Sequence, residues 1–130
     1  DQTLPPPQAR PSQALWKRDV KADTPLLFRF SALAYNSHRL HYDHVYTTQV
    51  EKYPGLLVTG PLQVVLMLDL ARRNKPTHPI MEFSCRALRP IFEGGVISVE
   101  GAPKDDGRSA EFWTLDQTGA IGMTASVKFA

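Results

Sequence analysis

The chain has 130 residues, 42% of them apolar, and a formal net charge of +2. That length suits one domain with one core and excludes a second. Acids and bases are interspersed, which argues against a nucleic-acid surface, while the slight basic excess suits an anionic small molecule.

Residues 1–24 differ from the rest. Pro5, Pro6, Pro7 and Pro11 crowd the start, and such a run cannot form helix or join a sheet centre, so it reads as an extended linker with Leu15 and Trp16 anchoring its end. The start at Asp1 rather than Met fits a processed product or a part of a longer protein. No secretory signal and no segment of transmembrane length follow, so no membrane partner is expected. Leu26–Ala32, dense in Leu and Phe after Pro25, reads as a first strand and opens a domain spanning 25–130. Residues 35–46 lack a clean period and read as a loop with a turn of helix.

Gly60 and Pro61 open the clearest element. Pro suits the first helical turn, and residues 62–71 are apolar on nearly every side, which predicts a buried helix. Arg72 and Arg73 complement its dipole, and Asn74 and Pro76 stop it. Asp69, a charge on this helix, needs a partner. The remainder is strand-like, with period-two runs through Phe83–Ala87, Val96–Glu100, Ala110–Leu115 and Ile121–Phe129 separated by turn signals at 104–107 and 116–119. The lone Cys85 excludes an internal disulfide framework and fits a reducing compartment, and its alternating surroundings predict a small buried core residue. Neither it nor the histidines show a closed metal-ligand spacing, so no metal is expected. Strands joined by tight turns predict an antiparallel sheet, and an all-apolar helix needs a wrapper. The fold class is α+β, a hot-dog arrangement with a curved sheet around one central helix.

The densest polar cluster is Asn36-Ser37-His38-Arg39-Leu40-His41-Tyr42-Asp43-His44, which holds three of the four histidines. Histidine is readily poised for proton transfer near neutral pH, and the helix start at Gly60 offers unpaired N–H groups suited to a developing oxyanion. From Leu26 onward the chain resembles the MaoC-like hydratases, and within them the type 2 hydroxyacyl-thioester dehydratase and mesaconyl-C4-CoA hydratase branch. The resemblance is carried by Phe28–Leu33, Asn36–Asp43, Tyr53–Leu56 with Gly60-Pro61-Leu62, and Arg86–Pro90.

The resemblance implies a hydro-lyase acting on an enoyl or 3-hydroxyacyl thioester. The family motif places Asp, Asn and His where this chain has Asn36, His38 and His41, so only His41 matches by type. An amide can orient water but cannot take its proton, which leaves His41 as the candidate base and Asn36 as a water-orienting group. Asp43 is a candidate for orienting His41 or supplying the missing carboxylate. Gly60 matches the family's backbone donor to the thioester carbonyl. Thr59, where the family usually has His, and His38 are candidate pocket residues, and Arg89 is a candidate contact to coenzyme A phosphates. No separate cofactor is implied, since coenzyme A or an acyl-carrier protein is part of the substrate. The implied partner is a second hot-dog domain, as a homodimer or as a separate or fused half, in the bacterial cytoplasm or mitochondrial matrix. A hot-dog thioesterase and a non-catalytic acyl-binding half are the competing readings.

Overall fold

A computed structural model describes residues 3–130; the first two residues of the expected N-terminal segment lie outside the described residues. Five strands, β1 (Trp16–Lys21), β2 (Ile80–Ala87), β3 (Val96–Lys104), β4 (Ser109–Leu115) and β5 (Ile121–Phe129), form one antiparallel sheet in the order β1-β3-β4-β5-β2. Three α-helices, α1 (Thr24–Leu33), α2 (His44–Gln49) and α3 (Gly60–Asn74), precede β2. Helix α3 packs on the sheet and buries Leu62, Gln63, Leu66, Met67, Leu70 and Ala71, the spacing of one helical face. Ile97, Val99, Phe112, Met123, Ala125 and Val127 meet that face from the sheet. This is the expected hot-dog arrangement, and the boundaries of α3, β4 and β5 follow the sequence signals closely.

Four expectations are corrected. Leu26–Ala32 is not a strand but the body of α1. The Asp23 carboxylate accepts from the Leu26 N–H at 3.1 Å, Pro25 occupies the first turn, and Leu27 and Ser31 are buried one helical turn apart. A cap followed by Pro at N1 or N2 favours a helix, and this outweighs the local density of Phe and Leu. The first strand lies earlier, at β1, within residues assigned to the linker. Its inward residues alternate, and Trp16 stacks on Phe112 with ring centroids 5.8 Å apart. The segment before it also lies on the sheet, since the Ile121 N–H donates to the Gln8 carbonyl at 2.9 Å. Cys85 is exposed, because β2 is an edge strand paired only with β5 and most of its side chains face outward.

Helix α3 is buried on one face rather than all round, with Val65 half exposed. Asp69 lies on its outer side and finds its partners in Arg18, Arg72 and Arg73. Among the described residues no helix is long and apolar enough to cross a membrane.

Candidate active site

His41 closes a short 3-10 turn, Arg39–His41, whose following segment is fixed by Asp43 at the start of α2. Its Nδ1 lies 2.8 Å from the Leu57 carbonyl oxygen. A carbonyl can only accept, so Nδ1 carries the hydrogen in the neutral ring and the Nε2 lone pair is left to act as a base. Leu57 is itself held, its N–H donating to the Leu40 carbonyl at 3.0 Å. The His38 ring stands edge-on to His41, centroids 5.4 Å apart, while His38 is exposed.

A cavity of about 300 Å³ joins His41 to the start of α3, lined by Gly60 and Gln63 on the helix side and by Arg89, Gly122 and Met123 opposite. Gly60 is the first residue of α3 with Pro61 behind it, where helix geometry leaves the N–H without an intrahelical acceptor. Thr59 is buried at the N-cap, makes no side-chain cap bond, and accepts from the Gln63 N–H through its carbonyl at 3.3 Å. Arg89 donates from Nη1 to the Pro5 carbonyl at 2.9 Å, and its buried Nε has no partner. A Cβ at Gly122 would collide with the Ile91 side chain and lie 3.0 Å from Gln63 Oε1, so a larger residue there would need Ile91 to move.

Asn36 is not in this cavity. It lines a separate one of about 310 Å³ between α1 and the following segment, with Phe28, Ser31, Tyr35 and Tyr42. Its Oδ1 accepts from the His38 N–H at 3.1 Å, a local turn bond favoured by Asn. Position in the motif thus does not bring Asn36 and His41 to one cavity in this chain. Asp43 is also committed elsewhere. It caps α2 through the Tyr46 N–H at 3.0 Å and pairs with Arg39 at 2.9 Å, so the orienting partner of His41 is the Leu57 carbonyl.

The Tyr46 N–H and the Arg39 guanidinium hold the Asp43 carboxyl below its ordinary value of 3.8. A depressed folded-state value gives stability that is complete above the ordinary aspartate range and is lost as pH falls through the lower value. Protection of the Tyr46 amide, taken relative to its intrinsic exchange rate, should therefore fall below about pH 4, ahead of the β4 amides, and Asp43→Ala, which removes the cap, should bring the lower protection to neutral pH. Hydrogen exchange by NMR reads both.

Gln63 and the Leu57 carbonyl were not legible as site groups. The only signal for Gln63 is a single amide in an apolar stretch, and a backbone carbonyl leaves no signal in residue type.

The family model for hydroxyacyl-thioester dehydratase type 2 matches residues 1–93. The chain is 42% identical over 111 residues to mesaconyl-C(4)-CoA hydratase of Chloroflexus aurantiacus, covering 85% of this chain and 39% of the relative. It is 40% identical over 76 residues to the mitochondrial hydroxyacyl-thioester dehydratase type 2 of Schizosaccharomyces pombe, covering 56% and 25%. The chain thus spans well under half the length of these relatives. Among solved structures, the ChsH1–ChsH2 complex from Mycobacterium tuberculosis contains a chain that superposes with a TM-score of 0.77 at 13% identity, over 91% of this chain and 94% of that one.

Proposed function

The chain belongs to the family of type 2 hydroxyacyl-thioester dehydratases, and from that premise we propose that it adds water to an enoyl thioester, or removes it from the 3-hydroxyacyl thioester, with His41 moving the proton. The observation that carries the reading is the shared cavity of His41 and Gly60, in which the Nδ1–Leu57 bond leaves the Nε2 lone pair of the neutral ring without a use among the described residues.

In the hydration direction His41 Nε2 takes a proton as the water oxygen bonds to the β-carbon. The π electrons of the double bond move onto the thioester carbonyl, giving an enolate whose oxygen accepts from the Gly60 N–H. A donor of that kind contributes about 3 kcal/mol to lowering the barrier. The proton on Nε2 then returns to the α-carbon from the same face, so addition is syn and the base is regenerated. Water and one protein base balance the step. Coenzyme A or an acyl-carrier protein enters as the substrate's own carrier, with no separate cofactor. His38, edge-on to His41, and Thr59, just before Gly60, flank the cavity, and Arg89 is the cationic side chain that lines it and can hold an anionic part of the substrate. The thioesterase reading asks for a carboxylate near the helix start. Asp69, the only acid in α3, is instead about two-thirds of the way along it and tied to arginines.

The free edge of β2 and its exposed Met81 and Cys85 support a second hot-dog domain beside this one, as a copy or a separate half. The proposed compartments are the bacterial cytoplasm and the mitochondrial matrix, and one relative is mitochondrial by name.

Incubation with crotonyl-CoA should remove the conjugated enoyl absorbance while a thiol reagent stays silent. Thiol release at the rate of absorbance loss would instead identify a thioesterase. Light scattering on the active protein should give at least twice the chain mass, and a fully active monomer would contradict the paired arrangement.

A further inference from the structure

The cavity of His41 and Gly60 contains one buried polar side chain that the reaction as written does not use. Gln63 is only 3% exposed. Its Nε2 donates to the Val58 carbonyl at 3.1 Å, and its Oε1 accepts from the Thr114 hydroxyl at 2.6 Å. The same hydroxyl oxygen accepts from the Met123 N–H at 2.9 Å. One side chain on the first turn of α3 therefore ties the helix start to the Leu57–Val58 segment on one side and to β4 and β5 on the other.

That segment presents the acceptor of His41. The Leu57 N–H is fixed to Leu40, the Val58 N–H to the Ile91 carbonyl at 2.8 Å, and the Val58 carbonyl to Gln63. A methionine would fill nearly the same space without the cost of burying an amide. What the amide adds is direction. We propose that Gln63 is a positioning residue that, through Val58, fixes the Leu57 carbonyl and thereby the tautomer of His41, in one frame with the Gly60 N–H. Its effect on turnover rests on the hydratase reading; its effect on the imidazole does not.

The test compares Gln63→Met, Thr114→Val and Thr114→Ser with the unmodified chain, using crotonyl-CoA as substrate and nitrogen-15 spectra of the imidazole rings. Gln63→Met should lower kcat by about tenfold to a hundredfold, the cost of a misplacement on the ångström scale, with KM little changed. The neutral His41 signal should move from the Nδ1–H form toward the Nε2–H form. Thr114→Val should move both readouts the same way, while Thr114→Ser, which keeps the hydroxyl, should restore them. A folded Gln63→Met with unchanged kcat and tautomer overturns the proposal. A fall in kcat with an unchanged tautomer overturns the route through Leu57. If Gln63→Met does not fold, the threonine pair decides, and equal behaviour of Thr114→Val and Thr114→Ser overturns the proposal. If the unmodified chain leaves crotonyl-CoA untouched, the hydratase reading fails on that substrate while the imidazole spectra still judge Gln63.

Discussion

His41→Ala is expected to lower kcat for hydration by about a hundredfold to ten-thousandfold, the range for loss of a positioned general base. The fold should tolerate the change. His41 is only half-buried and its ring bonds to the Leu57 carbonyl, so the unfolding midpoint should move little. His41→Gln separates shape from proton transfer, because an amide can reach the same carbonyl but cannot hold the water's proton. It should be as inactive as the alanine variant. Stopped-flow turnover with crotonyl-CoA measures the effect, and either variant retaining full rate would remove His41 from the proposed role.

The largest expected loss of stability follows Trp113→Ala, at about 3–5 kcal/mol. Trp113 is fully buried on the face of the sheet away from α3, among Ala102, Leu115 and Ile121. Its Nε1 donates to Glu100 Oε2 at 2.8 Å, and Glu100 is itself 1% exposed with Arg10 at 3.0 Å on its other oxygen. Truncation opens a cavity and also leaves a buried carboxylate with one donor fewer. Trp113→Phe keeps most of the volume and loses only the donor, so it should cost about 1–3 kcal/mol. Denaturant titration followed by circular dichroism distinguishes the two, and equal midpoints for both variants would show that the Glu100 contact, not the packing, dominates.

What was legible in the sequence follows from how local each signal is. The Gly-Pro start and the Arg-Arg-Asn end delimit α3 because caps act within a turn of helix. Strands β3, β4 and β5 announce themselves by alternation and by the turns between them. Strand β1 does not, since Lys17, Arg18, Asp19 and Lys21 make its period look like a solvated stretch, and the Phe and Leu of α1 offer a more conspicuous false strand. The Asp23 cap before Pro25 was the local signal that distinguishes them. Burial of Glu100 was invisible, because its partners lie thirteen residues ahead and ninety behind.

The site divides in the same way. Motif and helix start made His41 and Gly60 candidates, and the fold places both on one cavity. The pairing of Asn36 with His41 came from the resemblance to the family motif, and position in a motif does not by itself determine which side of a loop a side chain faces. Asp43 was a candidate by nearness in sequence, yet capping of α2 and Arg39 use both its oxygens. The acceptor that selects the His41 tautomer comes from a backbone carbonyl sixteen residues away, and the side chain that braces it is on the helix.

The central claim, that water activated at His41 attacks the β-carbon of a thioester, is tested most directly by the position of the oxygen. Turnover of crotonyl-CoA in water labelled with oxygen-18, analysed by mass spectrometry, should place the label in the 3-hydroxyl group of an intact 3-hydroxybutyryl-CoA. Label in a free carboxylate, with coenzyme A released, would contradict it.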